Sequence, residues 1–178
     1  MVCTKSKNTM NLNQIKSIYF STEHNLDEEL FLPIIRCSDS IRCMSGYFSS
    51  GVIRELAQSL IYFLNSNHSE IQFIVSPNLS AQDLLAIQKA IDIDDNLIPF
   101  LFPDFEISEN SFKSKAVETL SYLIATKKIK LKIAIRDSGL FHTKCWLFET
   151  KLGTVAVHGS INATQSGMAE NFEQNRGQ

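Results

Sequence analysis

Two stretches set the reading frame for the whole chain, because their apolar positions repeat with different periods. Ile53, Leu56, Ala57, Leu60, Ile61 and Leu64 recur at the spacing of one helical face. Ile129, Leu131, Ile133 and Ile135 alternate with Lys130, Lys132, Ala134 and Arg136, a strict period of two that predicts a strand. Around these anchors the pattern alternates. Ile15 to Phe20 predicts a short first strand, and Leu26 to Cys37 a helix interrupted or ended near Pro33. Ile41 to Phe48 is β-prone and stops at Ser49-Ser50-Gly51; Ile71 to Ser76 is a strand closed by Pro77. Ser80 and Asp83 have the spacing of a capping box, after which Leu84, Ile87 and Ile91 predict one helical face. Phe112, Ala116, Leu120, Leu123 and Ile124 fit another helix, with Lys127 and Lys128 at its negative end. Phe141 to Phe148 and Val155 to Val157 return as strands. Strands alternating with helices imply an α/β sandwich, a mixed β-sheet flanked by helices.

Composition bounds this picture. With 178 residues and 44% hydrophobic content, the chain suits one soluble domain, residues 15–178, behind a polar, flexible leader at 1–14. No apolar run approaches the roughly 20 residues of a membrane span and no signal-peptide core is present, so the expected compartment is the cytoplasm. Cys3, Cys37, Cys43 and Cys145 form no C-x-x-C pair or Cys/His cluster; free thiols are expected, with no metal and no cofactor. Asp92 to Asn110 holds two prolines, three phenylalanines and several acids without a period, and reads as an irregular connection.

The net charge of −2 is not the bulk signature of a DNA-binding protein, yet its distribution is uneven. From Lys113 to Lys144, eight basic residues (Lys113, Lys115, Lys127, Lys128, Lys130, Lys132, Arg136 and Lys144) face only Glu118 and Asp137. Taken singly, these lysines read as a solvated helix face and strand edge; as a stripe beside a site they would steer a polyanion.

Candidate chemistry gathers between Phe141 and Glu173. On a strand, His142 and Lys144 leave the same face about 7 Å apart, within reach of one ligand. After Val155 to Val157 come Gly159, where the backbone can approach a ligand closely, and Ser160 and Asn162, which offer neutral hydrogen bonds. Imidazole, ammonium, hydroxyl and amide converging on one point suit a phosphodiester. Each of these residues alone is an ordinary strand or turn residue; the constellation carries the reading. Tyr47 and Trp146 are left out of the site, since an aromatic in an apolar strand is usually core. His158 reads as structural, and His24 and His68 as loop residues.

His142-x-Lys144 followed by Gly159-Ser160-x-Asn162 resembles the H-x-K…G-S-x-N signature of the phospholipase D superfamily. Glu149 stands where that family usually has aspartate, the gap from Glu149 to Gly159 is longer than usual, and Asn171-Phe172-Glu173 resembles the N-x-E element of its nuclease branch. The stretch SGYFSSGVIRELA looks like the opening strand and helix of nuclease members attached to helicases.

The resemblance implies a phospholipase D-like fold and a metal-independent phosphodiesterase. His142 would form a covalent phosphohistidine. Lys144 and Asn162 would hold the non-bridging oxygens, Ser160 assisting. Glu173 would support the positive form of His142. Family members carry two H-x-K motifs and this chain one, so a homodimer sharing its site is expected. DNA is the first expected substrate. The alternatives are a non-catalytic nucleic-acid-binding or dimerisation module and a lipid phosphodiesterase. Residues 170–178 begin a further strand of the family and stop, so the natural protein is expected to continue, into a helicase or other module.

Overall fold

The computed structural model describes residues 2–5, 8–11, 15–20, 23–65, 70–91, 96, 115–135, 137, 141–159 and 163. Residues 1–14 include a two-stranded antiparallel ribbon, β1 (Val2–Lys5) with β2 (Asn8–Asn11). The main sheet has five strands: β3 (Ser38–Ser45), β4 (Ile71–Val75), β5 (Ile129–Ile133), β6 (Lys144–Thr150) and β7 (Gly153–His158). Their order is β5-β4-β3-β6-β7, so β3 is central. β3, β4 and β5 run parallel, whereas β6 is antiparallel to both β3 and β7. This is a mixed α/β architecture with helices flanking a mixed sheet, as the periodicity predicts.

Parallel neighbours need crossovers. α2 (Gly51–Glu55) and α3 (Ala57–Asn65) join β3 to β4; α4 (Ala81–Ile91) and α5 (Ala116–Ala125) lie between β4 and β5. A wide π-type turn, Asp27–Phe31, leads into α1 (Leu32–Cys37) ahead of β3. Pro33 therefore marks a change of winding rather than an end. A proline in a helix lacks an N–H and crowds the preceding turn, and a wider turn before it relieves both.

Alternation and register place Ile41 and Cys43, Ile71, Phe73 and Val75, Ile129, and Trp146 and Phe148 on one buried face of the sheet. There they join one core with Phe31, Ile34, Ile53, Leu60, Phe63, Ile87, Leu120 and Leu123. Trp146 is its hub, edge-on to Phe31 at 5.3 Å and to Phe73 at 5.9 Å, and stacked with Phe148 at 6.2 Å. Such pairs each contribute about 0.5–1.5 kcal/mol beyond area burial.

Three predicted elements differ. Ile15 to Phe20 is irregular backbone, not a strand. The Tyr19 hydroxyl accepts from Lys16 N and donates to the Glu29 carbonyl, local bonds that replace a ladder. The helix over 53–64 is two helices on one buried face, broken at Leu56 (ψ 21°). On α4 the buried face is Asp83, Ala86, Ile87 and Ala90, while Leu84 and Ile91 are 38% and 63% exposed. The difference arises because a polar residue, Asp83, takes a core position that hydrophobicity cannot reveal.

Asp83 is buried because all its bonds are internal. Its N–H donates to Ser80 Oγ (3.1 Å), closing the predicted cap, and Ser80 Oγ donates to its Oδ2 (2.8 Å). Its Oδ1 accepts from the Ser50 N–H (3.2 Å), tying the end of the β3–α2 loop to α4. Asp83→Ala strands that buried donor and is expected to lower stability by about 1–3 kcal/mol. In urea unfolding the midpoint falls at unchanged slope, and Asp83→Asn, which keeps an acceptor, loses less.

Candidate active site

The β3–β6 ladder ends where the chemistry begins. Ser45, the last residue of β3, is the Cα partner of Lys144, the first of β6. Lys144 lies on the sheet face of Trp146 and Phe148, at the rim where that face opens to solvent. The strand expected over Phe141 to Phe148 starts at Lys144, so His142 stands two residues ahead of it, exposed and off the ladder. The expected convergence is present: Lys144 Nζ lies 2.8 Å from His142 Nε2 and 3.2 Å from Nδ1. An ammonium can only donate, and which ring nitrogen accepts from it depends on the imidazole tautomer.

Two residues that the sequence pattern leaves out of the site complete this corner. A Cβ on Gly46 would lie 2.8 Å from His142 Cα, 3.0 Å from its Cδ2 and 3.0 Å from the Phe141 carbonyl oxygen. The Gly46 N–H donates to the Thr143 carbonyl at 2.8 Å. Glycine is required here by close approach. The available signal was a glycine ending a β-prone run. Tyr47, 39% exposed, packs edge-to-face on His142 at 5.8 Å and 86°, so it belongs to the site. Trp146 belongs to the core, as expected.

Gly159 follows His158, whose β6 partner is Cys145, and is exposed with open space around it. Four residues on, Ala163 is wholly buried. It bridges Phe48 in parallel, donates its N–H to Ser45 Oγ (2.8 Å) and accepts from the Ser49 N–H (3.0 Å). Around the Gly-Ser-x-Asn motif the structure thus describes Gly159, just after β7, and Ala163, fastened at the end of β3. Ser160, Asn162, Asn171 and Glu173 themselves lie outside the described residues, as do His68, Lys113 and Arg136.

Other candidates are placed elsewhere. Glu149 lies near the far end of β6 on the opposite face from Lys144, accepting from Thr154 Oγ1 (2.7 Å) and paired with Arg42 (3.4 Å). Its part is to hold strands together. Lys130 and Lys132 also project from that opposite face, on edge strand β5, and Lys130 pairs with Glu70 at 3.8 Å. The basic residues of β5 therefore do not border His142. Fold topology separates what sequence proximity joined, since β3 and β4 intervene between β5 and β6. His158 is exposed on that same opposite face, and His24 Nδ1 bonds the Phe20 backbone (3.0 Å to O).

Cys37, Cys43 and Cys145 are free thiols. Burial, with a smaller contribution from Cys145, pushes the Cys43 thiol up, so it is held as an unreactive thiol. Among the described residues no three His, Cys, Asp or Glu side chains converge as a metal site, and no helix is long and apolar enough to cross a membrane.

No curated protein and no solved structure matches the chain. A family model described as "Cardiolipin synthase, PLD-like domain" matches residues 32–176, a span that begins at α1 and takes in the whole five-stranded sheet, His142, Lys144 and the Gly-Ser-x-Asn segment. With the fold and the paired histidine and lysine in agreement, the chain belongs to the phospholipase D-like family.

Proposed function

We propose that this chain is a DNA phosphodiesterase that works without a metal, through a covalent phosphohistidine on His142. The observation that carries the reading is the 2.8 Å contact between Lys144 Nζ and His142 Nε2 at an open rim of the sheet. It puts a nucleophile and a fixed positive charge within reach of one phosphate. The family supplies phosphodiesterase chemistry in general. The preference for DNA rests on the nuclease-like N-x-E element at Asn171 and Glu173.

In the proposed mechanism a ring nitrogen of His142 attacks phosphorus. The N–P bond forms as the bond to the leaving oxygen breaks, and that oxygen takes a proton from a second histidine. Water then attacks phosphorus, returns a proton to that histidine, and the N–P bond breaks. Lys144 and Asn162 hold the non-bridging oxygens, with Ser160 and the Gly159 backbone beside them, and Glu173 accepts from the other ring nitrogen of His142. These 178 residues hold one H-x-K motif, and the second histidine is assigned in this proposal to a second copy in a homodimer. A fused or associated helicase would present the DNA.

The family model's printed description favours a second reading, a lipid phosphodiesterase. The two separate on substrate: cleavage of plasmid DNA but not of phosphatidylcholine vesicles supports the nuclease, and the reverse supports the lipid enzyme. A folded dimer that binds DNA and cleaves neither is a binding module.

With supercoiled plasmid in excess EDTA, cleavage is expected from a particle of twice 20.1 kDa by light scattering. His142→Ala is expected to lower it by more than about 1,000-fold. Lys144→Ala, which removes only a charge stabiliser, is expected to lower kcat by about 100- to 1,000-fold. Gly46→Ala forces a methyl onto the His142 backbone and is expected to lower kcat by about 100-fold with circular dichroism unchanged. A fully active Gly46→Ala protein would show that the His142 backbone can shift without consequence.

A further inference from the structure

The imidazole of His142 lies off the sheet ladder, and the χ2 torsion of a histidine has a broad well, so its surroundings must set the ring plane. Among the described residues its hydrogen-bonding partner is Lys144 Nζ, and a lysine on its flexible stem does not fix a plane. Tyr47 is placed to do so. Its ring stands 86° from the imidazole at 5.8 Å. The backbone that carries it is held before, at and after the residue. Gly46 donates to the Thr143 carbonyl (2.8 Å) and accepts from Ser76 Oγ. The Tyr47 carbonyl accepts from the buried Ser45 hydroxyl (2.5 Å). Phe48 is buried and edge-on to Phe73 at 5.2 Å. With Phe48 locked into the core, Tyr47 is turned out to the rim, against His142.

We infer that Tyr47 is a positioning residue, whose ring is a wall that holds the His142 imidazole in the plane from which a ring nitrogen reaches phosphorus. The proposed reaction forms the N–P bond in one step and breaks it in the next, so an imidazole free to turn would lose rate in both. The phenol hydroxyl takes no part, and the ring acts through His142 without touching substrate. Loss of the ring therefore lowers kcat and leaves KM. The inference rests on the catalytic reading of His142 above, but not on the choice between DNA and lipid.

The test uses the full chain with bis(p-nitrophenyl) phosphate, a small phosphodiester that is neither. Tyr47→Ala and Tyr47→Leu remove the aromatic ring from an exposed position and are expected to fold. Each is expected to lower kcat by about 10-fold, near the upper end of what one edge-to-face pair contributes, with KM within about twofold of wild type. Tyr47→Phe keeps the ring and is expected to bring kcat back to within about threefold of wild type. A second readout does not depend on activity. The His142 ring signals in a carbon–proton NMR spectrum, identified as those missing from His142→Ala, are expected to move in Tyr47→Ala as the ring current is lost, and to stay in place in Tyr47→Phe. Unmoved signals in Tyr47→Ala, or wild-type kcat in Tyr47→Ala and Tyr47→Leu, overturn the inference. A raised KM at wild-type kcat overturns it in favour of a direct substrate contact, and a Tyr47→Phe protein as slow as Tyr47→Ala overturns it in favour of the hydroxyl. An active His142→Ala protein removes the catalytic reading itself, and with it the role of Tyr47, while the ring signals still respond to Tyr47→Ala; that outcome is distinct from the others.

Discussion

The antiparallel pairing of β3 with β6 sets the geometry on which everything else depends. Its register matches Cys43 with Trp146, Ile41 with Phe148 and Ser45 with Lys144. Side chains alternate along a strand, so a slip of one residue would send Trp146 to solvent and Lys144 to the opposite face. The large aromatic therefore does more than fill the core. Its burial between Phe31 and Phe73 locks the phase of β6, and Lys144 inherits that phase.

A division of labour follows along β6. Its middle, Trp146 and Phe148, is buried in a closely packed aromatic cluster; its beginning, Lys144, reaches the rim, and His142 lies just beyond. A rigid strand carries Lys144 to the edge of water, and His142 stands just ahead of it, where a polar ligand can reach both. Close packing at Gly46, where no side chain fits, then holds the His142 backbone in place.

Buried polar groups do the joining that apolar packing cannot. Ser45, Ser76 and Asp83 each bond backbone atoms of the β3–α2 loop or its neighbours: Ser45 the Tyr47 carbonyl and Ala163 N–H, Ser76 the Gly46 carbonyl, Asp83 the Ser50 N–H. Hydrophobic contact is non-directional and tolerates sliding, whereas these bonds fix particular atoms. The loop that borders His142 is thus fastened at both ends and in the middle, and Ala163 is fastened to it.

The sequence alone determined the alternation of strands and helices, the two-residue spacing that brings His142 and Lys144 together, and the Ser80–Asp83 cap. Each is encoded by residues close in the chain, where local periodicity and short-range bonds govern. Tertiary structure decided the rest. Gly46 and Tyr47 lie nearly a hundred residues from His142 in sequence and meet it only because β3 pairs with β6. Lys130 and Lys132, close to His142 in sequence, are carried away by a sheet order that inserts β4 and β3 between them, and by alternation onto the other face. Glu149 is likewise turned to the far face by its odd spacing from Lys144. The polar residues Ser45 and Asp83 hold core positions for bonds to distant backbone atoms, and no pattern of hydrophobicity along a chain records a partner that folding supplies.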